Sequence, residues 1–371
     1  MKIALMGAWN TDSGASIHTE LLGRSFFKMG HKVVVFTFFK DSFHGTNIVG
    51  RDEDYVIRCF SLGTEKKPVL RVTPFLREDY EVFVVEDLGM LPQDELAKIF
   101  HWIKRKAITV TVIHDGNLKE DPSFYQFDWD AIVCFDKRYY DFLKLVYPEE
   151  LLHIIPYPFY PWNPGDKEKS RKKLGLPLDK KIILLFGPTS KFGAEKMDVL
   201  RKISEKYPIL ILVVTNNSYA LEKWKPLKKK YPDLIEIREE SPDIKRLYEY
   251  LYASDLLLYN KPTIPGRVTV ASTVYQCMGS GCPVVALKSS FVEMFGEAVY
   301  QYENDEELFS AIESIFKKDE KFHKVYENMK KMVMQNSADK IAEEFIKLFK
   351  KLKEVRYETQ KIREKSYTLT H

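Results

Sequence analysis

The sequence predicts an α/β protein of two doubly wound, Rossmann-like domains facing across a cleft. Three observations carry that expectation. Short apolar runs alternate with amphipathic stretches through both halves of the chain, the pattern of strand and helix in turn. One of them, KVVVFTFF, reads as apolar along its length, as in a strand covered by helices on both faces of a parallel sheet. The 371 residues exceed one ordinary core, and a proline-rich break near the middle offers a boundary.

The first half opens with KIALM (2–6), a turn-rich loop WNTDSGAS, and a helical stripe of Ile17, Leu21, Phe26 and Met29 that stops at Gly30. Ser13 or Ser16 suits the N-cap. The strand KVVVFTFF (32–39) completes a β-α-β unit, whose crossover should be right-handed. Strands at 55–61 and 81–87 follow, then a helix over 92–105 entered through Pro-Gln-Asp-Glu. Residues 107–115 form a β-branched strand ending on His114 and Asp115. Residues 130–135 form another, followed by a helix through Val146 and a strand at 151–155. The segment PYPFYPWNPGD (156–166) holds four prolines and four aromatics. It cannot be a helix and reads as a stiff connector. The first domain is therefore expected over 1–163 and the second over 164–338.

The second half repeats the alternation, with strands at 181–187, 209–215, 234–239, 255–260, 283–287 and 298–302. Beyond Asp305 the pattern is helical. It ends in a long basic amphipathic helix from Asp339 to about Lys365. Its KLFKKLKEV stretch suits a membrane surface, or packing of the apolar stripe with the lysines solvated, which is the commoner arrangement.

Composition excludes several classes. With 57 basic and 53 acidic residues the net charge is +4, too balanced for a dedicated nucleic-acid binder. The cysteines Cys59, Cys134, Cys277 and Cys282 include no C-x-x-C pair, which argues against a disulfide framework or a zinc site. Neither a signal peptide nor a membrane-spanning apolar run is expected from the sequence. A cytoplasmic protein is expected, with peripheral membrane contact left open.

The residues able to carry chemistry fall at the carboxyl ends of strands, where open parallel sheets bind ligands. Gly14 to His18 sit at a helix start, which favours anions. Gly14 is a candidate phosphate contact there, and Ser16 and His18 are candidate acceptor contacts, although a plain turn would look the same. His114 beside Asp115 suits hydrogen bonding to a hydroxylated substrate or general acid–base work. In FGPTSKFGAEKMDVL (186–200), Gly187, Lys191 and Lys196 make a reasonable pyrophosphate loop, though not a Walker loop. The stretch YNKPTIPGRVTVASTVYQCMGSGCPVVAL (259–287) carries Thr263, Thr269, Ser272, Thr273 and Gln276 where a solvated helix would carry charge. A ligand needing hydrogen bonds would explain it, and so would ordinary helix punctuation. The loop Gly7–His18 lacks G-x-G-x-x-G, so a dinucleotide fingerprint is absent.

Together these pieces resemble the GT-B glycosyltransferases, in particular the retaining family 4 type, along nearly the whole chain. MKIALMG…GASIHTELLGRSFFKMGHKVVVFT is similar to that family's opening, and TVIHD to its acceptor-side histidine strand. IIPYPFYPW is similar to its inter-domain crossing, and ASDLLLYNKP to the strand before its donor-sugar loop. QCMGSGCPVVA resembles E-A-M-A-x-G-x-P-V-V-A, the most specific match. The resemblance implies transfer of a hexose-type sugar from a nucleotide-sugar donor, with retention, to a sugar, polyol or lipid-linked hydroxyl. It implies no metal and no cofactor. It places the acceptor-side role on His114 with Asp115, and the phosphate lysine on Lys196 or Lys191. The terminal segment 339–371 would cross back onto the first domain.

The departures are specific. Pro188 stands where the family has an arginine. Gln276 and Val268 stand where it has the two glutamates of E-x7-E. Arg267 is then the nearest candidate to supply positive charge, with Thr269 and Gln276 as neutral contacts. The alternatives are a binding protein on this scaffold that has lost catalysis, and a nucleotide-sugar epimerase. KKPVLRVTPFLR (66–77) mixes basic and apolar residues as a lipid-acceptor groove would, or as an ordinary strand and loop would.

Overall fold

The apolar runs pair side by side into two parallel sheets, one of seven strands and one of six. The structure is a computed structural model describing residues 1–368, with side chains through Glu358 and at Lys361. Unit 1 comprises Met1–Tyr157 and the chain from Ala338 on, and unit 2 comprises Pro158–Ser337.

In unit 1 the elements run β1 (Lys2–Met6), α1 (Gly14–Lys28), β2 (Lys32–Phe38), β3 (Val56–Phe60), α2 (Val72–Arg77), β4 (Val82–Glu86), α3 (Gln93–Lys106), β5 (Ile108–Val112), β6 (Ala131–Cys134), α4 (Lys137–Leu143) and β7 (Leu152–Ile154). The strand order is β3-β2-β1-β4-β5-β6-β7. Leu5 of β1 lies level with Val35 of β2 and Val84 of β4. The middle strands β4 and β5 are buried along their whole length, so apart from the terminal Glu86 they carry no charge, and the two threonines of β5 are satisfied inside, Thr109 by Asp130 and Thr111 by the Val85 carbonyl. α1 starts where the Ser13 hydroxyl accepts from the Ser16 amide at 3.2 Å, and the chain leaves it through Gly30 at φ +83°.

Some expected boundaries move. The helix expected through Val146 ends at Leu143, after which the chain tightens into i→i+3 turns, Leu145 N donating to Phe142 O and Val146 N to Leu143 O. Residues 66–77 are not strand and loop throughout: Val72–Arg77 is a short helix with Pro74 in its first turn, where a missing N–H costs nothing.

In unit 2 the order is α5 (Lys167–Leu174), β8 (Lys181–Phe186), α6 (Met197–Lys206), β9 (Ile209–Val214), α7 (Ser218–Lys230), β10 (Ile235–Arg238), α8 (Ile244–Ala253), β11 (Leu256–Tyr259), α9 (Ser272–Met278), β12 (Val284–Leu287), β13 (Tyr300–Tyr302), α10 (Asp305–Lys317) and α11 (Glu320–Gln335). The strand order is β10-β9-β8-β11-β12-β13. Carboxylate and amide side chains cap the helices: Asp166 accepts from Lys169 N, Asn217 from Ala220 N and Asp243 from Arg246 N, at 2.8–3.0 Å. The loop 188–196, expected to be irregular, winds as a 3-10 segment, Pro188–Lys196.

Residues 158–163, placed by the sequence with the first domain, pack with unit 2. Phe159 N donates to Asn336 O at 2.9 Å and Asn163 N to Gly279 O at 2.7 Å. Prolines make this segment stiff, but its free amides dock it onto unit 2. Gly279 is what lets it approach: a Cβ there would run into the backbone oxygens of Tyr160 and Pro161. Gly279→Ala is expected to destabilise unit 2 by about 1–3 kcal/mol. A lowered urea midpoint would show this, and an unchanged midpoint would mean that the segment yields freely.

The last helix, α12 (Ala338–Thr368), belongs to unit 1; residues 369–371 of the expected terminal segment lie outside the described residues. Phe345 lies edge-on and Phe349 tilted against Phe26 of α1, and Asp339 accepts from Ser25 Oγ at 3.0 Å. Ile341, Phe345, Ile346, Leu348 and Phe349 are all buried, so this apolar stripe is covered by protein. No helix among the described residues is long and apolar enough to cross a membrane.

Candidate active site

The strand orders set where ligands can bind. In unit 1 the chain winds outward from β1 to β3, then returns to β4 on the other side of β1. In unit 2 it winds from β8 to β10 and returns to β11 beside β8. The loops leaving β1 and β4, and those leaving β8 and β11, therefore diverge and leave a crevice at each switch point.

In unit 1 this crevice gathers three buried ionisable groups. Glu86 ends β4, His114 lies two residues past β5, and His18 sits in α1. His114 Nε2 is 2.9 Å from Glu86 Oε2 in a hydrogen bond. His18 Nδ1 lies 2.9 Å from the same oxygen, but misaligned as a hydrogen bond. The Glu86 and His18 side chains are wholly buried, and that of His114 is 11% exposed. Gly7 permits this closeness: a Cβ there would lie 2.7 Å from the Glu86 Cβ.

The charges follow from the geometry. For Glu86, burial favours the neutral acid, but His18 and His114 outweigh it and hold the carboxyl at about 2. For His114, burial disfavours the charge, but the Glu86 hydrogen bond and charge, with Asp87 and Asp115, raise its pKa. For His18, burial prevails over Glu86 and lowers the pKa. One anion and one cation, Glu86 and His114, thus form the pair, and His18 stays neutral against it. A carboxylate only accepts, so the His114 proton on Nε2 points at Glu86 and Nδ1 is left for any further partner. His18, Glu86 and His114 also bring metal-ligand atoms within 4.8 Å of one another, and both nitrogen–oxygen separations have hydrogen-bond length.

The remaining unit 1 candidates divide. Asp115 pairs with Lys119 through one oxygen, while its other oxygen is buried without a hydrogen bond beside Gly89. Asp87 adopts left-handed backbone at φ +56° and lies 3.6 Å from His44. Ser16 is not surface-facing: its hydroxyl accepts from Thr11 N and donates to Glu20, and the residue is wholly buried. The expected direct acceptor contacts Ser16 and His18 are therefore interior groups, since α1 turns that face into the core. Gly14 begins α1, and its carbonyl accepts from Tyr157 Oη at 2.7 Å.

In unit 2, Gly187 leaves β8 at φ +68°, a conformation that favours glycine. Lys196 pairs with Asp305 at 2.8 Å. Lys191 makes no ion pair among the described residues; its ammonium lies 4.8 Å from the Tyr219 ring centre. Arg267 follows the Gly266 turn at φ +71° and is exposed. Thr269 precedes α9 and Gln276 lies on it, both half-buried, and the Gln276 carbonyl accepts from Tyr248 Oη at 3.1 Å. The structure brings Lys191 and Arg267 near one further cation, Lys261, and ties Lys196 to a carboxylate instead.

Sequence reasoning passed over Glu86 and Lys261. Both follow the signal used for His114, a polar residue at the end of a buried apolar run (EVFVVE and DLLLYNK).

No protein-family model matches the chain. Solved structures do match in fold. A sucrose-phosphate synthase from Thermosynechococcus elongatus is 16% identical, with a TM-score of 0.65 over 96% of this chain and 100% of that one. A glycosyltransferase from Rickettsia africae is 16% identical, with a TM-score of 0.64 over 95% and 98%. Anabaena HepE, solved with UDP-glucose, is 15% identical, with a TM-score of 0.65 over 95% and 100%. Two parallel sheets with helices between their strands, matched along the length of these enzymes, make this the GT-B fold of glycosyltransferases.

Proposed function

We propose that the chain is a glycosyltransferase that moves a hexose-type sugar from a nucleotide-sugar to a hydroxyl acceptor, with retention at the anomeric carbon. The observation that carries this reading is the fold, matched over nearly the whole chain by proteins solved with UDP-glucose or with UDP and a sugar. In the reaction the bond from the anomeric carbon to the diphosphate breaks and one to the acceptor oxygen forms. The acceptor proton ends on the diphosphate. Unit 2 would hold the donor phosphates by its cations, and His114 of unit 1 would meet a substrate hydroxyl. The charge that develops on the leaving diphosphate would be met by lysine and arginine, so the step needs no metal and no cofactor. Acceptors of the sugar, polyol or lipid-linked type all present the required hydroxyl.

The test is a thermal-shift panel of nucleotides and nucleotide-sugars, followed by product analysis. A ligand at a hundred times its dissociation constant should stabilise the protein by about 2.7 kcal/mol. No shift with any member would overturn the donor assignment. Anomeric inversion in the product would overturn retention.

A second reading is favoured by one observation: Lys196, the expected phosphate lysine, is engaged with Asp305. With Pro188, Val268 and Gln276 it fits a protein that binds nucleotide without transferring sugar. Nucleoside diphosphate released in the presence of an acceptor rejects that reading.

A further inference from the structure

Three cations stand on two loops that leave neighbouring strands of unit 2. Lys191 follows β8, while Lys261 and Arg267 follow β11, and those two strands flank the switch point. The loops are held in place. Asn260 donates through Nδ2 to Phe192 O at 2.6 Å and accepts from Tyr302 Oη, so the β8 loop is fastened to the end of β11. Thr263 Oγ1 accepts from Ser290 N at 3.1 Å, and Arg267 N donates to Ile264 O at 3.3 Å. The Lys261 ammonium rests 3.8 Å from the centre of the buried Phe291 ring. The Phe291 carbonyl accepts from Ala271 N, just before α9. None of the three cations pairs with a carboxylate among the described residues.

Like charges held together in a partly buried place cost free energy unless an anion joins them. Burial, then the charges of Lys191 and Arg267, lower Lys261 to about 8, and no carboxylate offsets them. Lys196, by contrast, is already neutralised by Asp305.

We propose that Lys261, with Lys191 and Arg267, forms a phosphoanion site at the switch point of unit 2, where Lys261 grips the diphosphate of the donor. The assignment rests on the transferase reading for the identity of its ligand and on the geometry for its residues. Lys261 takes over the charge that Pro188 and Lys196 do not supply. The site also carries a proton linkage. Bound phosphate raises the Lys261 pKa, so affinity falls as pH rises through about 8 and binding there takes up a proton. The charged groups acting on Lys261 are Lys191 from the β8 loop and Arg267 from its own loop; the segment after β12 faces it with the uncharged Phe291.

Calorimetric titration of the full chain with inorganic pyrophosphate tests this without knowledge of base or sugar. Lys261→Gln should weaken binding by about 10- to 100-fold, the range for losing a hydrogen bond to a charged group. Lys225→Gln, an exposed lysine paired with Glu239, should change it less than 2-fold by the same reasoning about screened surface charge. Lys261→Arg should keep the affinity and lose the extra weakening between pH 7 and 9, since arginine does not titrate there; pyrophosphate's own titration is common to both proteins. Equal binding by wild type and Lys261→Gln overturns the site. So does an equal loss in Lys225→Gln, or absence of binding by wild type. If Lys261→Gln loses pyrophosphate but wild type turns over no nucleotide-sugar, the anion site stands and the transferase reading falls. If nucleotide-sugar turnover in Lys261→Gln equals that of wild type, the transferase reading stands and Lys261 does not grip the donor diphosphate.

Discussion

His114→Ala is expected to lower sugar transfer by about 10²–10⁴-fold while leaving nucleotide binding unchanged. The range is that of a positioned group acting on a proton or a developing charge. The expectation of a selective effect rests on where the residue lies. His114 belongs to unit 1, whereas the cations assigned to the donor phosphates belong to unit 2. Glu86 holds the ring through Nε2 and leaves Nδ1 for a substrate oxygen. Steady-state transfer assays read the loss, and calorimetric nucleotide binding reads the control. Unchanged turnover would remove His114 from the reaction. A parallel loss of nucleotide affinity would mean that the variant disturbs more than one site. The pH profile adds a second check. Glu86, Asp87 and Asp115 keep His114 protonated above its ordinary value of 6.5, so a step needing the cation should persist past that pH and fail as pH rises through the folded value. In Glu86→Gln the same limb should move to lower pH.

Glu86→Ala is expected to destabilise unit 1 by about 3–5 kcal/mol, the cost of stranding a buried partner of a broken ion pair. Both histidine contacts end on one Glu86 oxygen in a wholly buried place, so water cannot replace what is lost. The sign of the pH dependence is set by the shifts. Glu86 is held at about 2 against an ordinary 4.5, so its contribution is present above about 4.5 and is lost as pH falls towards 2. His114 is raised from 6.5, so its contribution is complete below 6.5 and is lost as pH rises through its folded value. The pair therefore contributes most between about 4.5 and 6.5. His18, lowered from 6.5 by burial, opposes this by favouring the unfolded state as the solution acidifies. Urea unfolding of wild type and Glu86→Ala at pH 3, 5.5 and 8 should give the largest difference at pH 5.5. A difference that does not vary with pH would mean that Glu86 acts through packing alone.

Much of the architecture was legible before any coordinates. A strand buried on both faces carries few charges and many apolar or β-branched residues, and such runs stand out from amphipathic helices. Four prolines within 156–166 mark the break between the halves. The exact edge was not legible, because it depends on Phe159 and Asn163 finding Asn336 and Gly279, partners far along the chain. His114 and Lys191 were accessible as polar residues just past apolar strands. Ser16 and His18 looked like ligand contacts for the same reason, yet both are interior, because helix phase decides which face of α1 meets the core.

The sequence by itself determined the two α/β halves, the strands and the loops that follow them, since hydrophobic period and backbone-restricting residues are local properties. Only the tertiary structure decided which of those loops meet. β4 lies beside β1 and β11 beside β8 because the chain reverses its winding at each switch point, and no local pattern encodes that neighbour. It is this juxtaposition that sets Glu86 against His18 and His114 and brings Lys261 near Lys191, while the pairing of Lys196 with Asp305 joins residues far apart in the chain. Charge in a folded protein is defined by what stands next to it, and those neighbours come from strand order.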